Sequence, residues 1–228
     1  LIVLCDSVTK LSNGNFDVSL DNLTKAWGFY TDDPKLPDRS AIDSALSLSG
    51  WNNIKLIDEN KIIKHNKVGL NFGAIAKGYA VDRAIDVLKT LGIKEALVNA
   101  GGEISVIGND WIVGIQHPRE INSIIKKIKL DGFTVATSGD YEQYFEVDGN
   151  RYHHILDPKT GYPSTGLQSV TIINKSNAFA DALATGVFVM GKENGLKLIE
   201  TLDDTEAMMI DEEGKIFYSS GFEKVLVK

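Results

Sequence analysis

Leu70-Asn71-Phe72-Gly73-Ala74-Ile75-Ala76-Lys77-Gly78-Tyr79-Ala80-Val81-Asp82-Arg83 is the stretch on which the reading of the fold turns. Val68 to Phe72 reads as the end of a strand. Gly73 and Gly78 allow backbone to approach a neighbour closely. From Ala76 the spacing becomes helical. Tyr79, Ala80, Ala84, Ile85, Val87, Leu88 and Leu91 form one apolar face, and Gly92 ends it. A strand that feeds a Gly-rich turn into a helix start presents unpaired N–H groups, which suit an anion. Lys77 adds a fixed positive charge there. The same pattern also fits a helix start that uses Gly for packing and Lys for solubility, so the rest of the chain has to decide.

On the N-terminal side, Leu1, Leu4, Cys5, Val8 and Leu11 share one helical face, which makes Cys5 a core residue. It is the only cysteine, so no internal disulfide forms. Leu1 to Cys5 does not read as a lipoprotein cleavage site, since Leu4 is large where a small residue is expected and no charged segment stands before it in this sequence. A chain opening in mid-helix without Met reads as trimmed at its front. Asn13 to Ser19 is a polar turn entering an extended segment, Ala26 to Tyr30 an aromatic cluster, and Asp38 to Leu48 a helix capped by Asp38 or Ser40. Ile54 to Ile57 and Lys61 to Lys64 form a hairpin turned at Asp58-Glu59-Asn60.

On the C-terminal side, strands are expected over Ala96 to Gly108 with a break at Gly101-Gly102. More follow over Trp111 to His117, Ile124 to Leu130, Gly132 to Asp140, Tyr144 to Val147, Tyr152 to Leu156 and Leu167 to Asn174. Asp148-Gly149-Asn150 is a hairpin turn. Helices follow at Asn177 to Met190 and Lys192 to Leu202, then a hairpin (Ala207 to Ile210, Lys215 to Ser219) and a last strand at Lys224 to Val227. Hairpins and helices interleave without strict βαβ alternation, so the class is α+β.

The 228 residues, 43% of them hydrophobic, suit one large or two small globular domains. A net charge of -7 with no basic block argues against a nucleic-acid footprint and against a polybasic membrane surface. No apolar run approaches the length of a transmembrane helix.

Chemistry gathers at few places. Asp181 and Thr185 stand i, i+4 on a helix whose other residues are small or apolar. An oxygen pair there suits a hard cation such as Mg²⁺. It equally suits a structural Asp at a helix start and a Thr bonded back to its own helix. His153 and His154 are neighbours in a strand and face opposite ways, so at most one enters a given pocket. His154 begins His154-Ile155-Leu156-Asp157-Pro158-Lys159-Thr160-Gly161-Tyr162-Pro163 and sits where a general base would. Asp157 organises the turn. No C-x-x-C, H-E-x-x-H, Walker A, G-x-G-x-x-G or G-x-S-x-G pattern is present.

Taken in order, Asn13 to Asp17, Leu23 with Trp27-Gly28-Phe29, Asn71 to Asp82, Asn99 to Ile104, Ala136 to Tyr141, His154 to Pro163 and Ala180 to Thr185 resemble the ApbE family of flavin transferases, across essentially the whole chain. The resemblance implies a T-fold-like α+β architecture over a single domain, 1–228. It implies Mg²⁺-dependent transfer of FMN from FAD to a Thr or Ser hydroxyl of an acceptor protein, with AMP released. The metal ligands it implies are Asp181, Thr185 and the carbonyl of Ala74. FAD contacts would come from Asn15, Phe16, Asp17, Asn71, Lys77 and the backbone at Ile155, and His154 matches the catalytic histidine. Phe16 or Trp27 would cover the flavin, although core packing explains Trp27 equally well. It also implies an extracytoplasmic setting with a lipid anchor that lies outside this chain. FAD hydrolysis to FMN and AMP, or FAD binding without catalysis, are the alternatives. Two positions depart from the family pattern: Asn71 replaces the usual Asp, and Glu103 the commoner Asp.

Overall fold

A computed structural model describes residues 1–58 and 61–227. Three helices come first: α1 (Ile2–Leu11), α2 (Asp21–Trp27) and α3 (Arg39–Ser47). A hairpin of β1 (Ile54–Asp58) and β2 (Lys61–Lys64) follows, then α4 (Ala76–Thr90). Next come β3 (Ala96–Ala100), β4 (Glu103–Ile107), β5 (Trp111–Gln116), β6 (Ile124–Leu130), β7 (Thr134–Gly139), β8 (Tyr144–Val147), β9 (Asn150–His153) and β10 (Leu167–Asn174). The chain closes with α5 (Asn177–Met190), α6 (Lys192–Ile199), β11 (Glu206–Asp211) and β12 (Ile216–Tyr218).

The centre is a six-stranded antiparallel sheet in the order β12-β11-β10-β7-β4-β3. Every residue of β10 is buried, as expected of a strand covered on both faces. Alternation in β11 shows how the faces divide. Ala207 and Met209 join the core under α5 and α6, while Met208 and Ile210 join the core under the β5–β6 hairpin. Fold class is thus α+β, as the spacing of helices and hairpins led one to expect.

Helix ends follow local chemistry. Asp38 caps α3 by accepting from Ala41 N at 2.7 Å, and Ser176 caps α5 by accepting from Phe179 N. Cys5 is fully buried in α1.

Several expectations fail for identifiable reasons. Val68 to Phe72 is not a strand. Asn71 N donates to Val18 O, but no ladder forms; Leu70 and Phe72 pack against the cluster of Phe16, Ile75 and Ala182, and Val68 is buried. The aromatic cluster lies partly in a helix, α2, which ends at Gly28 in the left-handed region (φ 73°). Asn13 to Ser19 stays a run of turns. The strand expected over Tyr152 to Leu156 starts earlier and ends at His153, because Asp148 and Gly149 (φ 51° and 76°) close a two-residue turn that pairs Val147 with Asn150. Of the expected last strand, Lys224 and Val225 lie in a 3₁₀ turn, Phe222–Val225, which seats Phe222 in the core, and Leu226 makes only an isolated bridge to Ile128. For the first hairpin the pairing is as expected, and Glu59 and Asn60 of its turn lie outside the described residues.

Candidate active site

Helices α4 and α5 lie so close that a Cβ on Gly78 would fall 2.5 Å from Asn177 O and 2.8 Å from Asp181 Cβ. Glycine at 78 is therefore a packing requirement of the helix pair. Each helix supplies an aspartate to the other's first turn. Asp82 of α4 accepts from Asn177 N (2.8 Å), Ala178 N (3.0 Å) and Ser176 Oγ (2.8 Å). In return, Asp181 Oδ2 accepts from Gly78 N at 2.9 Å, and its second oxygen makes no hydrogen bond among the described residues. Asp181 is 4% exposed. Burial, opposed by the Gly78 N–H and Lys77, raises its pKa to about 6.

These helix starts border a cavity of about 330 Å³. Asn15, Phe16, Asp17, Asn71, Ala74, Lys77, His154, Ile155, Asp181 and Thr185 all line it, so residues far apart in sequence meet at one place. Their present engagements differ. The Asp17 carboxylate is taken up by Ser19 N, Ser19 Oγ and Trp51 N, which fix the turn. Asn15 Oδ1 accepts from Lys159 Nζ at 3.2 Å. Ile155 O already accepts from Ser164 N, and Ile155 N donates to His153 Nδ1. Asn71 Oδ1 accepts from Gly73 N (2.8 Å) and so shapes the turn that carries Ala74. The Thr185 and Ser138 hydroxyls lie 3.0 Å apart. Trp27 stays outside the cavity: it is fully buried with Phe29 and Leu156, and its Nε1 donates to Gly161 O at 2.8 Å. Core packing, rather than flavin contact, accounts for it.

The two histidines separate as alternation requires. His153 is buried, its Nε2 2.9 Å from Ser164 O. His154 lines the cavity, with Nδ1 3.2 Å from Gln143 O. A carbonyl only accepts, so Nδ1 carries the proton and Nε2 keeps its lone pair. Burial pushes the His154 pKa down to about 4, which keeps the ring neutral near pH 7.

Lys77 is held between two carboxylates, Glu103 Oε1 at 3.0 Å and Glu142 Oε2 at 3.7 Å. Burial works against its charge, but those carboxylates outweigh it and the pKa is raised. Glu142, Gln143 and Thr24 are not singled out by the sequence, and Tyr30 appears there only within an aromatic cluster, yet all four line the cavity. No spacing marks them, because they come from a turn, a short helix and a loop.

An oxygen-only set of one carboxylate, one hydroxyl and one backbone carbonyl suits a hard divalent cation. Among the described residues no group of three or more His, Cys, Asp or Glu gathers to enclose a metal. Such a cation would complete its shell with substrate phosphates and water.

The ApbE family profile matches residues 1–209. The chain belongs to the ApbE family. A FAD:protein FMN transferase of Klebsiella pneumoniae is 32% identical over 225 residues, covering 96% of this chain and 71% of that protein. One from Vibrio cholerae is 34% identical, covering 96% and 69%. Among solved structures, the ApbE protein of Thermotoga maritima superposes with a TM-score of 0.92 at 37% identity, over 100% of this chain and 77% of that one. The apo flavinyl transferase ApbE of Pseudomonas stutzeri gives 0.85 at 36% identity, over 98% and 73%. This ApbE-family architecture is the T-fold-like one expected.

Proposed function

We propose that this ApbE-family chain is an FAD:protein FMN transferase, moving the FMN moiety of FAD onto a Thr or Ser hydroxyl of an acceptor protein and releasing AMP. One observation carries the proposal. Asp181, Thr185, Ala74, Lys77 and His154 converge on one cavity in a chain whose relatives are FAD:protein FMN transferases.

The acceptor oxygen attacks the phosphorus bonded to the flavin side, and the bond from that phosphorus to the bridging oxygen breaks. His154 Nε2 takes the hydroxyl proton, and its Nδ1–H stays on Gln143 O, which holds the ring and its tautomer. Lys77 meets the charge that builds on the phosphate oxygens. Asp181, Thr185 and Ala74 O would hold Mg²⁺, which supplies charge neutralisation at the two phosphates when bound. Asn71 keeps the Ala74 turn in shape, and Phe16 presents an apolar wall to the flavin. Family membership also supports an extracytoplasmic, lipid-anchored setting. Among the described residues, no helix is long and apolar enough to cross a membrane.

Incubation with FAD, Mg²⁺ and a protein bearing a candidate Thr or Ser target tests this. Covalent flavin fluorescence on the acceptor with stoichiometric AMP is expected. Free FMN and AMP without a labelled acceptor would replace transfer by hydrolysis, and intact bound FAD would replace it by storage.

A further inference from the structure

Glu103 presents a problem that the proposed chemistry does not use. It opens β4 directly after the Gly101-Gly102 turn, and its side chain is 1% exposed. A sealed carboxylate normally has both oxygens engaged, as Asp82 does nearby. Glu103 Oε1 lies against Lys77 Nζ at 3.0 Å, and Oε2 has no partner among the described residues. The fold therefore draws little from this group besides its contact with Lys77. Leaving such an oxygen unpaired in a sealed place costs stability. Burial first, and then Asp181, raise the Glu103 pKa to about 8 despite Lys77.

The second carboxylate on Lys77 is of another kind. Glu142 stands on the turn between β7 and β8, lines the cavity, is 36% exposed and lies farther from Nζ, at 3.7 Å. One arm is thus rigid, close and sealed; the other is on a loop, longer and open to solvent. A strand places a side chain more tightly than a loop does.

We propose that Glu103 is a positioning residue that tethers Lys77 to the sheet, while Glu142 is the arm Lys77 releases when a diphosphate enters. The proposal rests on the FAD reading of the cavity. Lys77 keeps its Glu103 contact and turns its free N–H donors from Glu142 to the phosphate oxygens, so no shell of ordered water has to be rebuilt around it.

Two charge-removing variants should act with opposite sign. Loss of any negative charge near an anion site favours the anion by Coulomb attraction alone. A tether predicts that at about pH 9, where Glu103 is ionised, E103Q nonetheless weakens FAD binding, by about tenfold, because Lys77 loses its charged anchor. E142Q should tighten binding, by about threefold, because a half-open competitor is gone. The measurement is FAD binding by flavin fluorescence with Mg²⁺ present and acceptor absent, on the wild type, E103Q, E142Q, K77A and K77A/E103Q, with melting curves to confirm folding. In the K77A background E103Q should change FAD affinity by less than about twofold, since a tether without its lysine does nothing. Tightening by E103Q, or the same loss with and without Lys77, would overturn the proposal. If E103Q fails to fold, E103D serves in its place: it keeps a charge on the strand but shortens the arm, and binding as tight as wild type in E103D alongside unchanged affinity in E142Q would equally overturn it. A wild-type protein that binds no FAD would instead overturn the functional reading beneath.

Discussion

Asp82 and Asp181 occupy matching places on two packed helices and are engaged differently. Each reaches from its own helix to the start of the other. Asp82 takes three hydrogen bonds, from Ser176 Oγ, Asn177 N and Ala178 N, and both of its oxygens are occupied. Asp181 takes one, from Gly78 N, and its other oxygen is uncommitted beside the cavity. The same device, a carboxylate on a helix N-terminus, is saturated in Asp82 and half used in Asp181, the group proposed to hold a metal. What separates them is the number of donors that surround each group.

Asp181→Ala should show the largest effect. Transfer falls by at least about a hundredfold in steady-state flavinylation, since the site loses the carboxylate that would hold Mg²⁺. Thermal stability moves little, because one hydrogen bond is lost but the cost of a buried charge goes with it. A variant that keeps its transfer rate would erase the distinction between the two aspartates. His154→Ala comes next, with transfer lowered by about a hundredfold or more and FAD affinity held within about twofold. Equal losses in both readouts would make His154 a binding group instead.

Asp82→Ala tests the structural half. Unfolding in urea should show a loss of about 2 kcal/mol, in line with removal of a multiply bonded helix cap. At a temperature where the variant is folded, its transfer rate should stay within about threefold of wild type. Glu103→Gln gives a smaller effect with a defined pH sign. The folded-state pKa lies at about 8, against an ordinary 4.5. The folded chain therefore binds the proton more tightly than the unfolded one, and stability falls as pH rises from about 4.5 to about 8. The variant lacks that fall, so its advantage in Tm should widen by a few degrees between about pH 5 and about pH 8. A constant gap would mean that Glu103 does not titrate in that window. Asn71→Asp should be the mildest. The Gly73 N–H contact survives in either residue, so stability shifts by less than about 0.5 kcal/mol. The added charge beside the cavity should lower the Mg²⁺ concentration needed for half-maximal transfer by about threefold.

Much of the fold was legible because periodicity carried it. The spans of β6, β10 and α5 are rich in β-branched or in small apolar residues and are bounded by polar or capping positions. Segments buried by packing alone escaped: Val68 to Phe72 is apolar like a strand, but the chain offers it no partner edge. A seven-residue helix such as α2 is too short to show its period. For the site, the i, i+4 spacing of Asp181 and Thr185 pointed to one face, and the order of motifs along the chain brought the remaining residues in. Spacing said nothing about Glu142 or Gln143, which the turn between β7 and β8 brings to Lys77 and to His154. Gly78 was legible as a point of close approach, and only the structure names the neighbour as α5.

Trp27 was weighed as a flavin contact and belongs to the core, yet that placement is useful. Its indole packs with Leu156, and Leu156 lines the cavity. Indole emission overlaps flavin absorption, so a flavin seated in the cavity would drain light from a donor one residue away and shielded from solvent quenching. Ligand arrival then becomes an optical event internal to the protein, readable without a label and in real time. Exchange of Trp27 for Phe would dim that signal while leaving the cavity lining untouched.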